Sequence, residues 1–201
     1  PTQYLRSLDA VDHDDLARPA TAETLTYKDL VDLPLSDQAS HIMTRAGVLD
    51  FDSVARLVRG AEDEVAVVTA LKECAVLVRG NWVLRSERFC KLIKFASAAD
   101  NQDSVKTQLV HCREYLLLQF HAAPIVSFSD VEAVTKVDGN LLRQIFAGVS
   151  TPLHDGTYKL KQDDDTGFMT RFPAVAESAA KVWASKAAPL EEAFRTGSVG
   201  A

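Results

Sequence analysis

Cysteine, proline and glycine are all scarce in this chain, at 3, 7 and 9 of 201 residues. So little Gly and Pro excludes collagen-like and low-complexity character, and a sequence that is 47% hydrophobic and 25% charged is not compositionally disordered. Cys74, Cys90 and Cys112 form an odd set with no C-x-x-C pair, so they make no disulfide framework and suggest a reducing compartment. Long apolar runs are missing, and none approaches the roughly 18 residues of a membrane span, so no membrane partner is expected. No secretory signal opens the sequence, and a start at Pro1 without Met reads as a fragment. The motifs G-x-S-x-G, H-E-x-x-H, the P-loop and G-x-G-x-x-G are absent, so nothing points to an enzyme, a cofactor or a small-molecule substrate. Excess positive charge is also lacking. With 22 Lys and Arg against 28 Asp and Glu, the net charge is -6, and any nucleic-acid contact would need a local patch.

What is present is repetition. Gly80-Asn81-Trp82-Val83-Leu84-Arg85 is echoed by Gly156-Thr157-Tyr158-Lys159-Leu160-Lys161, and Phe51-Asp52-Ser53-Val54 by Phe128-Ser129-Asp130-Val131. Two matches in one order at nearly one offset indicate a duplicated module. In the first copy, residues 36–46 place Ala39, Ile42, Met43 and Ala46 at helical spacing, with Ser36 as N-cap and Gly47 as stop. A short extended piece, 48–51, follows. Ser53 is then expected to cap a helix that ends by Gly60, and a third helix runs over 62–74 with Val65, Val68 and Leu71 on one face. Residues 75–78 and 82–84 are β-prone runs around a Gly80-Asn81 loop. The second copy has a helix over 105–119, a strand at 125–126 and a Ser129-capped helix to Lys136. A helix ending near Gly148 and a hairpin about Asp155-Gly156 complete it.

Helix, strand, helix, helix and hairpin is the order of a winged helix. The expected fold is mainly α with small β wings (α+β), as tandem winged-helix domains. Residues 34–95 and 105–166 form the two domains and 96–104 the linker between them. Residues 1–33 read as an N-terminal linker docking by Tyr27, Leu30 and Leu33. Residues 167–201 read as an amphipathic helix carrying Val175, Ala179, Val182 and Trp183, followed by a flexible tail.

A winged helix raises the question of DNA, for which the third helix would enter the groove. Here that helix opens on Glu62, Asp63 and Glu64, carboxylates that would repel phosphate. They, with Trp183, are the candidate protein interface. In the second copy Asn140, Arg143 and Gln144 lie beside Asp138 and make a poor reading head. The wings are more basic: Arg79, Arg85, Arg88, Lys91, Lys159 and Lys161 are the candidate phosphate contacts, and a solvated face is the preferred reading of them. Cys90, His111, Cys112 and His121 lack the close pairs of a structural zinc site, and consecutive Asp163, Asp164 and Asp165 seldom converge on one cation, so no metal is expected. Trp82 and Tyr158 read as anchors of the wings rather than as contact aromatics.

The stretch from Leu71 to Glu87, which includes Arg79-Gly80-Asn81-Trp82-Val83-Leu84-Arg85, resembles the C-terminal (Sin-like) region of the RNA polymerase III-specific subunit of the TFIIF-related heterodimer. The likeness resumes at His111-Cys112-Arg113-Glu114-Tyr115-Leu116, at Asp130-Val131, at Tyr158-Lys159-Leu160, at Phe168 and Phe172-Pro173-Ala174-Val175, and at Trp183. It covers roughly residues 34–185. Little matches in 1–33, and the resemblance implies that the family's N-terminal dimerisation domain, which pairs with the partner subunit, is not part of this sequence. The resemblance implies a nuclear, non-catalytic extension of a DNA-directed RNA polymerase. Its expected partners are polymerase III subunits or transcription factors, with at most weak DNA contact. The acidic third helix favours protein over a DNA groove.

Overall fold

The computed structural model describes residues 30, 32–93 and 102–196. Helix α1 (Leu35–Ala46) buries Gln38, Ala39, Ile42 and Met43 and stops at Gly47, whose φ of 75° permits the reversal. Its N-cap is Pro34, without a side-chain bond, so Ser36 lies inside the first turn and not at the cap. After β1 (Val48–Leu49), α2 (Phe51–Leu57) is capped by Asp50. Ser53 is there the donor rather than the cap, giving its N–H at 2.7 Å and its hydroxyl at 2.6 Å to the Asp50 carboxylate. The helix ends at Leu57, before Gly60. Helix α3 (Glu64–Cys74) starts two residues later than the spacing predicts, because Asp63 accepts the Ala66 N–H and fixes the first turn. Val65 faces solvent, and Val67, Val68, Ala70 and Leu71 fill the core in its place.

Strands β2 (Ala75–Val78) and β3 (Asn81–Leu84) are joined by Arg79-Gly80, with φ of 51° and 82°. Two positive φ values make the tight turn that suits hairpin twist. The turn thus sits one residue earlier than Gly80-Asn81, and Asn81 pairs with Val78. Helix α4 (Ser86–Cys90) closes the first unit. In the second, α5 (Gln102–Ala122) is already helical at Gln102, and β4 (Ile125–Ser127), α6 (Phe128–Thr135) and α7 (Gly139–Val149) follow. Ser127 caps α6, and not Ser129. Strands β5 (Ser150–Pro152) and β6 (Thr157–Leu160) flank a four-residue loop, and α8 (Thr166–Arg171) and α9 (Pro173–Thr196) end the described chain. Tyr27 and the tail 197–201 lie outside the described residues, whereas Leu30 packs on the first core.

Each unit holds a three-stranded antiparallel sheet, ordered β1-β3-β2 and β4-β6-β5. The registers match row by row: Leu84 opposite Ala75 corresponds to Leu160 opposite Ser150, and Trp82 opposite Leu49 to Tyr158 opposite Val126. One core gathers Met43, Phe51, Leu71, Trp82 and Phe168. The other gathers Cys112, Leu116, Phe120, Ile145, Phe146 and Trp183, and it includes Val48, Val78 and Val83 from the first sheet. Successive strand residues face opposite sides, so the first sheet gives Leu49, Leu77 and Trp82 to its own core and its valines to the neighbouring unit.

Candidate interaction surfaces

The acidic start of α3 is exposed but only partly free. Asp63 serves as cap, while Glu64 takes the Arg171 guanidinium at 3.2 Å and Asp52 takes it at 2.6 Å. The hydrogen bond to Asp52 raises the Arg171 pKa, and the guanidinium lies 5.0 Å from the Phe51 ring centroid. Arg171 thus ties α8 to the starts of α2 and α3, and Glu62, two residues before Glu64, is exposed.

Trp183 does not belong to an open surface. It is buried at 2% exposure, and its indole N–H donates to the Leu77 carbonyl at 2.7 Å. It stacks beside His121, with Lys186 over its ring. An amphipathic helix pattern cannot say whether its apolar face meets a partner or its own chain, and here α9 lies on β2 and α5. The burial beside Trp183 and the nearby Arg79 charge hold the His121 pKa below its usual value. Val182, on the expected apolar face, is exposed, and the buried positions are Trp183, Leu190 and Phe194.

Five of the six basic candidates are engaged within the chain. The Arg79 guanidinium is held bidentately by the Asp164 carboxylate, and Lys159 pairs with Asp163 at 2.5 Å. These two cations share a cleft of about 270 Å³ with Pro124, Leu160 and the two aspartates. The hairpin tip is sealed as well: Asp165 N–H donates to the Arg79 carbonyl at 3.0 Å, and the Asn81 amide to the Asp163 carbonyl at 2.8 Å. A Cβ on Gly80 would lie 2.3 Å from the Asp165 carbonyl oxygen, so the approach needs glycine. Elsewhere, Arg85 donates to the Lys72 carbonyl at 2.6 Å, Arg88 reaches the Ser40 hydroxyl, and Lys161 lies 3.5 Å from the Gly148 carbonyl. Lys91 is exposed. In the second unit Arg143 bonds Asn140 at 3.0 Å and leans over Phe128.

No group of three His, Cys, Asp or Glu side chains placed to hold a metal occurs among the described residues. Asp163, Asp164 and Asp165 diverge to Lys159, Arg79 and the Phe168 N–H. Cys90 and Cys112 are buried, which pushes their pKa values to about 11 and about 12, so both are protonated core thiols. His111 turns to the Thr107 carbonyl on its own helix.

A buried polar network escaped the sequence reading. Arg113 is fully buried beneath the Phe89 ring and donates to the Leu84 carbonyl at 2.7 Å and to the Ser86 hydroxyl at 3.1 Å. The Ser86 hydroxyl donates to Glu114 at 2.6 Å, and Glu114 also receives Lys186. Burial lowers the Arg113 pKa to about 10, which still leaves it charged at neutral pH. The network crosses from α4 to α5 and α9. Its only trace in the sequence is a charged pair interrupting the apolar stripe of α5.

A family model described as RPC5 protein matches residues 1–192. The chain belongs to the RPC5 family. The match starts at residue 1, so it includes the segment 1–33 in which inspection of the sequence finds little likeness. Two curated relatives are DNA-directed RNA polymerase III subunit RPC5 of Mus musculus and of Homo sapiens, at 25% and 24% identity over 198 residues. Each alignment covers 96% of this chain and 27% of the relative, so the chain spans about a quarter of their length. No helix among the described residues is long and apolar enough to cross a membrane.

Proposed function

We propose that this chain is a non-catalytic, tandem winged-helix interaction module of an RNA polymerase III subunit. It acts in the nucleus, where it supports polymerase assembly and small-RNA gene transcription through contacts with other polymerase subunits or transcription factors. The observation that carries the reading is membership of the RPC5 family, together with the names of the two relatives. Helix, strand, helix, helix and hairpin, occurring twice with matching strand registers, support tandem winged helices spanning about 34–95 and 105–166. Protein contact is favoured over DNA contact because the Arg79 guanidinium is held bidentately by the Asp164 carboxylate and the first hairpin tip is closed. The acidic start of α3 would repel a phosphate backbone further.

The test is capture of the tagged chain from nuclear extract at physiological salt, with and without nuclease, read by quantitative mass spectrometry. RNA polymerase III subunits should be enriched and survive nuclease. Enrichment lost with nuclease would assign the contact to DNA, and absence of polymerase subunits would overturn the reading.

A further inference from the structure

The two sheets are built to one pattern, yet their outer faces differ in what covers them. In the first sheet the outer row is Val48, Val83 and Val76, with Val78 at the strand end. Val48, Val78 and Val83 are buried at 3%, 0% and 0% exposure in the core of the second unit, and Val76 packs against them. The matched registers make Ile125, Lys159 and Thr151 the equivalent row of the second sheet, with Leu153 in the place of Val78. Here Ile125 is 47% and Leu153 40% exposed, and Thr151 is exposed. Pro124, next to Ile125, and Lys159 itself border the 270 Å³ cleft, while Ile125 borders a second cavity of about 140 Å³ with Tyr115, Gln119 and Asp130.

We infer that the outer face of β4-β6-β5 is a docking surface for a polymerase III subunit that presents an apolar face bearing a carboxylate. The inference rests on the proposed function and specifies where that contact is made. The equivalent face of the first sheet is already covered by the second unit of the same chain, so the geometry of the sheet is suited to such packing. The chemistry differs at two positions of the row, Lys159 in place of Val83 on the central strand and Thr151 in place of Val76 on the edge strand. The pairing of Lys159 with Asp163 is solvated, with side chains 45% and 85% exposed, and such a pair contributes little and exchanges readily for a better-placed carboxylate. Two copies of the face would oppose lysine to lysine, which disfavours self-association. Strand addition at β5 is blocked. The Leu153 N–H bond to Thr157 O shows that Leu153 and Thr151 face β6, so Pro152 sits at the outer edge without a donor. At this edge the partner must therefore meet the face through side chains.

The three native cysteines are buried, so a single introduced thiol reports its own surroundings. Thr151→Cys, Leu153→Cys and, at an exposed position of α3, Thr69→Cys are each labelled with a maleimide, in the free chain and bound to purified RNA polymerase III. Labelling at 151 and 153 should slow about tenfold on binding, as high occupancy of the site requires, with Thr69→Cys unchanged. Lys159→Glu should weaken recovery with the polymerase about tenfold by opposing the partner's carboxylate. Bound chains that label at unchanged rates at 151 and 153 overturn the assigned face and leave the functional reading standing. A chain that does not bind the polymerase overturns both. Slowed labelling by duplex DNA alone, without polymerase, overturns the assignment in favour of nucleic acid.

Discussion

Asp50 shows how one carboxylate sets the geometry of the first unit. It sits in extended backbone, φ -70° and ψ 159°, and its side chain gathers both the N–H and the hydroxyl of Ser53. Burial acts to raise its pKa, but the hydrogen bonds from Ser53, with some help from Arg56, outweigh burial and leave it below the ordinary carboxylate value. A depressed folded pKa means stability that is present above the unfolded value of about 4 and lost as pH falls through the folded one. Asp50→Ala should therefore cost about 1–2 kcal/mol at pH 7, as removal of a helix cap does. The gap to the parent should narrow below about pH 4, where protonation weakens the same bonds in the parent. Urea unfolding of both proteins at pH 7 and pH 3 measures this, and a gap that is constant with pH would show that the carboxylate charge contributes nothing.

Helix α9 is the element whose role differs most from its sequence pattern. It runs 24 residues, passes through Pro189, and buries Trp183, Leu190 and Phe194, the last edge-on to Tyr115 at 5.6 Å. Replacing the buried indole by a methyl group should cost about 3–5 kcal/mol for Trp183→Ala. Trp183→Phe keeps most of the packing but leaves the Leu77 carbonyl without its donor, at about 1–3 kcal/mol. Denaturant unfolding of the isolated chain gives both values, whereas a Trp reserved for a partner would leave its stability untouched. The sequence made the repeat legible because Gly80 and Gly156, Trp82 and Tyr158, and Phe51 and Phe128 mark equivalent points on two identical topologies. Local periodicity and turn chemistry carry that much. The choice of caps was not legible, since Asp50 and Ser53 are both good cap residues and only the backbone distinguishes them. The burial of Trp183 and Arg113 was not legible either, because each is covered by elements far along the chain. Whether the basic hairpin residues were free depended on an acidic loop about 85 residues away.

At the scale of the whole molecule, the two units share material rather than merely touch. The valines of the first sheet belong to the second core, Arg113 and Glu114 of α5 bond to Ser86 on α4, and α9 spans both. Unfolding either unit would expose apolar surface of the other, so the parent should unfold in one calorimetric transition, with van't Hoff and calorimetric enthalpies equal. The seam is tight at Gly148: a Cβ there would lie 2.4 Å from the Phe89 ring, and one on Gly47 would lie 2.8 Å from the Gly148 carbonyl oxygen. Gly148→Val should wedge the seam, costing about 1–3 kcal/mol as overpacking does, and should broaden or split the transition. Gly156→Ala provides the comparison, because its φ of 77° imposes local strain at a hairpin tip with nothing within 4 Å. That variant should lose stability while keeping a single transition. If both variants lower the midpoint and both remain two-state, then the units are not coupled through this seam, and their cooperativity would have to come from the shared valines, the Arg113–Ser86–Glu114 bonds and α9.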